Sequence, residues 1–130
     1  MVSPADNVSV PDSLKPDLRL RRHQRVRANA DFQATYAQGK SLAARTMVLW
    51  LSKAPDASLR LGVVSSRVIG KAVQRNRARR RLREAWRLNR FRFRGDVDVV
   101  LVARRSILTA KWEDVTGDLI WLAKRAGILA

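Results

Sequence analysis

The sequence predicts an α+β domain in which helices pack on one small mixed β-sheet, with elements in the order α-β-β-α-β-α. Three observations predict it. Residues 46–53 alternate in polarity, as a strand with two different faces must. Residues 97–103 are almost continuously apolar, which marks a buried strand. Residues 71–90 instead place Ala78, Leu82, Ala85 and Trp86 at helical spacing, and residues 109–126 carry the cap and charge order of a helix. The chain has 130 residues, of which 46% are hydrophobic. That suffices for one domain with one core, and it excludes a disordered polycation.

Residues 1–17 hold Pro4, Pro11 and Pro16 with Asp6, Asp12 and Asp17. They read as a disordered N-terminal extension, so a single folded domain is expected over residues 18–130. A basic opening segment, residues 19–27, precedes a short helix with Asn29 as N-cap and Gly39 as its stop. Phe32 and Tyr36, four apart, share one face of that helix. In the strand at 46–53, Met47, Leu49 and Leu51 lie on one face and Val48 and Trp50 on the other. Pro55-Asp56 marks a turn. Residues 59–66 read as a second strand, a hairpin partner of the first. Residues 71–90 are rich in Arg, Ala and Leu, all good helix formers. For the last helix Thr109 is the expected cap. Glu113 and Asp114 fall in its first turn, Lys124 and Arg125 in its last, and Gly127 ends it, an order that complements the helix dipole. A further short strand would complete the sheet.

Charge narrows the function. The formal net charge is +16, and residues 60–94 carry 13 cations against the single acid Glu84. So much like charge on a folded surface calls for a polyanion: nucleic acid first, an anionic membrane second. Most of the cations are Arg, whose guanidinium binds phosphate bidentately and stacks on bases. On the helical wheel Ala78, Leu82, Ala85 and Trp86 face the core. Asn76, Arg79, Arg80, Arg83, Arg87 and Arg90 form a positive stripe, flanked by Arg77 and Arg81. An ordinary charged face is only solvated. Here the sign is nearly uniform, and like charges three and four apart destabilise a helix unless phosphates neutralise them. A membrane-surface helix would want bulky apolar residues outward, whereas Leu82 and Trp86 are needed to cover the strands.

The string Gly70-Lys71-Ala72-Val73-Gln74-Arg75-Asn76-Arg77-Ala78-Arg79-Arg80-Arg81-Leu82-Arg83-Glu84-Ala85 closely resembles the Arg-Asn-Arg signature of the bacterial ribonuclease P protein family. Asp31-Phe32 through Tyr36 to Gly39, residues 61–66 and residues 96–104 resemble other stretches of the same family. The resemblance implies a sheet with packed helices, related to a ribosomal-protein domain. It also implies that the signature helix joins two parallel strands by a left-handed crossover, against the usual hand.

It implies two RNA surfaces as well. The signature helix, with Lys71, Arg75, Asn76, Arg77, Arg79, Arg80 and Arg83, would face a catalytic RNA. A cleft with Phe32, Tyr36, Trp50, Ser66 and Arg67 would hold the single-stranded 5′ leader of precursor tRNA, bases stacking on the aromatic rings. The family usually has two basic residues after Ser66, whereas this chain has Arg67 and then Val68. Trp50 stands where the family often has a smaller aromatic. Trp86, Trp112 and Trp121 are expected in the packing.

The chain itself is expected to hold no catalytic residue and no metal. Cysteine is absent and His23 is the only histidine, so thiol chemistry and a paired histidine base are excluded. Asp96 and Asp98, or Glu113, Asp114 and Asp118, make no persuasive two-metal set. The resemblance assigns catalysis to the RNA with bound Mg²⁺ and makes this chain the non-catalytic subunit, with the catalytic RNA and precursor tRNA as partners. No protein partner and no membrane are expected, and the compartment is expected to be the cytoplasm. The alternative is a structural ribosomal or nucleoid-type basic protein with no processing role.

Overall fold

A computed structural model describes residues 40–53 and 57–129. The extension at 1–17, the helix expected around Phe32 and Tyr36, and the Pro55-Asp56 turn lie outside the described residues. Within them the order is β1 (Ser41–Ala43), β2 (Met47–Ser52), β3 (Leu61–Val64), α1 (Ala72–Asn89), β4 (Asp98–Ala103) and α2 (Trp112–Ala126). Short 3-10 turns stand at Arg67–Ile69, Arg90–Arg92 and Arg105–Leu108. β1 is the further short strand.

The sheet order is β1-β2-β4-β3. β1 and β2 are antiparallel, β2 and β4 are antiparallel, and β3 runs parallel to β4. The expected hairpin between the second and third strands does not form. The most continuously apolar strand, β4, takes the centre, where both its edges are paired and all of its residues but Val102 are buried. A β2–β3 hairpin would have pushed it to an edge. Polar contacts fix the register. Buried Asp98 accepts from the backbone N–H of Ser58 (3.2 Å) and Arg60 (2.9 Å), and from Nε (3.0 Å) and Nη2 (2.6 Å) of Arg60. These bonds lay the start of β3 beside the start of β4. Because β3 and β4 are parallel neighbours, α1 is the crossover between them, as the family resemblance implied.

Both described helices pack on one face of the sheet. Met47 and Leu49 from β2, Leu61 from β3, and Val99 and Leu101 from β4 meet Ala78, Leu82, Ala85 and Trp86 of α1 and Val115, Leu119 and Leu122 of α2. The four α1 residues are fully buried, as the wheel predicts. Trp86 lies 4.7 Å from Phe93, ring centre to ring centre, and closes the core at the C-terminal end of α1.

The last helix is capped by Lys111, not Thr109, which instead ends the preceding 3-10 turn. Gly127 ends it at φ 78° with its N–H on the Ala123 and Lys124 carbonyls, a left-handed stop that suits glycine. Two of the expected packing tryptophans are outside the core: Trp112 is 37% and Trp121 48% exposed. Each lies under a guanidinium, Arg81 at 5.8 Å and Arg125 at 4.9 Å from the ring centre. Among the described residues no helix is long and apolar enough to cross a membrane.

Candidate nucleic-acid interface

α1 starts from a glycine in a backbone conformation that strains any side chain. Gly70 has φ 139°, and a Cβ there would stand 2.1 Å from Oε1 of Gln74. That oxygen accepts the Lys71 N–H at 2.7 Å, which satisfies a donor left open at the helix start. Just before it, the Arg67–Ile69 turn drives Ile69 into the core and leaves Arg67 and Val68 outside, Val68 at 72% exposure. The first turn of α1 also exposes Val73.

From this start the signature residues are set out along the outer surface. Lys71, Asn76, Arg77, Arg80 and Arg83 are exposed, and Arg75 and Arg79 are half-buried. Arg79 is held by two partners: Nη1 donates to Ser65 Oγ at 2.9 Å, and Nη2 donates to Asn76 Oδ1. The Ser65 hydroxyl in turn donates to the Arg75 carbonyl at 3.0 Å. One serine after β3 thus positions the Arg75–Asn76–Arg79 group. Sequence reasoning missed Ser65, because no local spacing couples it to residues ten and fourteen positions later.

The stripe is narrower than the wheel predicts: two of its arginines leave it, and one flanking arginine turns away. Arg90 folds back, half-buried, with Nη2 on the Ser58 carbonyl at 3.3 Å, and burial lowers its pKa. Arg87 binds Glu84 through Nε (3.0 Å) and Nη2 (2.8 Å). That hydrogen-bonded pair lowers the Glu84 pKa and raises that of Arg87. Arg81, a flanking residue on the wheel, turns to the protein. Its guanidinium donates to the carbonyls of Ile107 and Ala110, the latter at 2.8 Å, and covers Trp112. Burial first, then Arg77, lowers its pKa. Arg81 ties α1 to the start of α2.

Of the residues that the resemblance implies for a leader cleft, Trp50 lies on the opposite sheet face. Trp50 is level with Val100 and Gly62 across the sheet and is half-buried. Ser66 continues the alternation of Gly62 and Val64, and Ser66 and Arg67 are exposed where β3 ends. Strand spacings put Trp50 and Ser66 roughly 16 Å apart. Phe32 and Tyr36 lie outside the described residues. Among the described residues, Asp98 is the most buried acid and is paired with Arg60, and no three acids or histidines converge.

Three comparisons bear on this arrangement. The family described as Ribonuclease P matches residues 20–127. Named ribonuclease P protein components are similar over most of their length. That of Clostridium botulinum is 37% identical over 108 residues, 82% of this chain and 97% of its own. That of Symbiobacterium thermophilum is 38% identical over 111 residues, 85% of this chain and 96% of its own. Among solved structures, the RNase P protein of Staphylococcus aureus superposes with a TM-score of 0.71 at 28% identity, covering 82% of this chain and 98% of that one. The RNase P protein of Thermotoga maritima gives a TM-score of 0.69 at 31% identity, covering 78% and 96%.

Proposed function

The chain belongs to the ribonuclease P protein family, whose work is tRNA 5′ maturation within an RNA–protein complex, and from that premise we propose that it is the non-catalytic subunit, binding the catalytic RNA through α1 and the 5′ leader of precursor tRNA through the opposite sheet face. The observation that carries this reading is the division of α1. Its inner side, Ala78, Leu82, Ala85 and Trp86, is fully buried. Its outer side presents Lys71, Asn76, Arg77, Arg80 and Arg83 to solvent, with Arg75 and Arg79 partly sunk beneath them. Such a face gains affinity from phosphates by releasing counterions. The Ser65 and Asn76 bonds to Arg79 lower the entropic cost of ordering that side chain on RNA.

For the leader, Trp50 supplies a stacking surface, and Ser66 and Arg67 offer donors at the end of the same sheet face. Phe32 and Tyr36 are proposed to complete it. Mg²⁺ is assigned to the RNA. The protein raises substrate affinity and positions the scissile phosphate, so it accelerates cleavage through placement. The test compares binding of precursor tRNA and mature tRNA by the complex of this chain with a bacterial ribonuclease P RNA. Leader-bearing substrate should bind more tightly, and Trp50→Ala should shrink the difference by roughly five-fold or more. Equal affinities for both tRNAs with the unaltered protein would refute leader binding.

A further inference from the structure

We propose that the groove between the β1–β2 turn and the outer side of α2 is an additional contact for single-stranded RNA, in which Trp121 stacks an unpaired base and Arg45 and Arg104 hold the flanking phosphates. The inference rests on the RNA-binding reading above and extends it to a surface outside the signature helix and the leader cleft.

Trp121 is the first observation. A tryptophan is a large apolar side chain, yet this one lies 48% exposed on the outside of α2. The Arg125 guanidinium sits 4.9 Å from its ring centre. The ring also borders a groove of about 620 Å³ shared with Gly117, Arg104 and Arg45. Gly117 is the second. It lies in mid-helix, one turn before Trp121, where glycine costs about 0.5–1 kcal/mol relative to alanine. A Cβ at Gly117 would meet nothing within 4 Å, so packing does not require the glycine. Its effect is to leave open the surface beside the indole.

The charges fit a phosphate chain. Arg45 and Arg104 are exposed, and Nη1 of Arg104 is anchored on the Ala44 carbonyl at 3.1 Å. The groove's one acid, Asp118, is committed to Thr46: Oδ2 accepts the backbone N–H at 3.0 Å and the hydroxyl at 2.6 Å. Topology then joins this groove to the signature helix. β3 and β4 are parallel, so both end on the same side of the sheet, and antiparallel β2 begins there. Arg67 after β3, Arg104 after β4 and Arg45 before β2 therefore stand in a row along one sheet end. α1 starts at the Arg67 end of that row, and Trp121 borders its Arg45 end. A base on Trp121 with its phosphates on arginine is the ordinary mode of sequence-tolerant single-strand binding.

The chain has no cysteine, so a single Gly117→Cys substitution can carry a photo-crosslinker. The probe is the complex of the full chain with bacterial ribonuclease P RNA, and Val73→Cys, exposed on α1, serves as the reference position. The proposal expects a crosslink from position 117 to a discrete unpaired nucleotide, abolished when Trp121→Ala is added. Trp121→Ala should weaken RNA binding by roughly five-fold or more, while Trp121→Phe, which keeps a stacking ring, retains most of the affinity. Crosslinks from position 73 with none from 117 would overturn the groove and leave the signature helix standing. So would unchanged affinity in a folded Trp121→Ala protein. Silence at both positions would overturn the RNA-binding reading together with the groove.

Discussion

Arg80 and Arg81 are neighbours in sequence and of one chemistry, yet the structure gives them opposite work. Arg81→Ala removes two charged hydrogen bonds, to the carbonyls of Ile107 and Ala110, and a cation–π interaction with Trp112. A charged hydrogen bond is worth about 1.5–3 kcal/mol and an exposed cation–π interaction about 0.5–1 kcal/mol. These terms are not additive, and the freed carbonyls regain water because the site is only partly buried. The expected loss is therefore about 2–3 kcal/mol, or roughly 9–13 °C in Tm for a domain of this size.

Arg80 is exposed, and among the described residues it meets no such carbonyls. Arg80→Ala should leave Tm within about 2 °C, since substitutions on an open surface stay within about 0.5 kcal/mol. Its cost appears on RNA: each phosphate that the protein no longer neutralises flattens the slope of log K against log salt by about 0.7–0.9. Thermal melts in RNA-free buffer and Kd measured across a salt series separate the two effects. Arg81→Ala should melt early and keep its slope, and Arg80→Ala should do the reverse. A full-phosphate change in slope for Arg81→Ala with unchanged Tm would refute the division of α1 into a structural and an RNA-facing side.

Other substitutions test other parts of the account. Gly70→Ala forces a side chain into a backbone at φ 139° and against the Gln74 amide, so calorimetry should show a loss of about 1–3 kcal/mol. Adding Gln74→Ala should not restore stability, because the backbone strain remains. Val68→Lys places a cation on the exposed turn beside Arg67, and titration across a salt series should show tighter RNA binding and a slope steeper by about 0.7–0.9. Glu84→Gln breaks a solvent-screened pair with Arg87, whose side chains are 45% and 33% exposed, and should cost about 0.3 kcal/mol at neutral pH. The folded Glu84 pKa is lowered from 4.5. The pair's contribution is therefore complete above 4.5 and disappears as pH falls through the lowered value. Urea melts of the two proteins should converge in acid.

The parts of the fold that rest on side-chain periodicity were legible in the sequence. Ala78, Leu82, Ala85 and Trp86 recur at helical spacing and are all fully buried, and the alternation of 46–53 places Met47 and Leu49 in the core. Strand pairing was less legible. Neighbouring strands usually pair, but β3 pairs with β4 because Asp98 and Arg60 meet across 38 residues, and no local pattern encodes that distance. The same limit explains the site. The charge of α1 shows which residues can meet RNA, but the carbonyls that draw Arg81 and Arg90 inward come from residues 26 to 32 positions away. From the sequence Trp112 and Trp121 are expected in the packing, whereas the structure leaves both partly exposed. The apolar side of α2 is already filled by Val115, Leu119 and Leu122, which leaves both indoles outside.

The most direct test of the central claim is cleavage of a precursor tRNA by a bacterial ribonuclease P RNA at low Mg²⁺ and moderate salt, with and without this protein. The protein alone should cleave nothing, adding it should restore correct 5′ cleavage by the RNA, and Arg75→Ala or Arg79→Ala should weaken the rescue. Tight RNA binding with no stimulation of several such RNAs would contradict that claim.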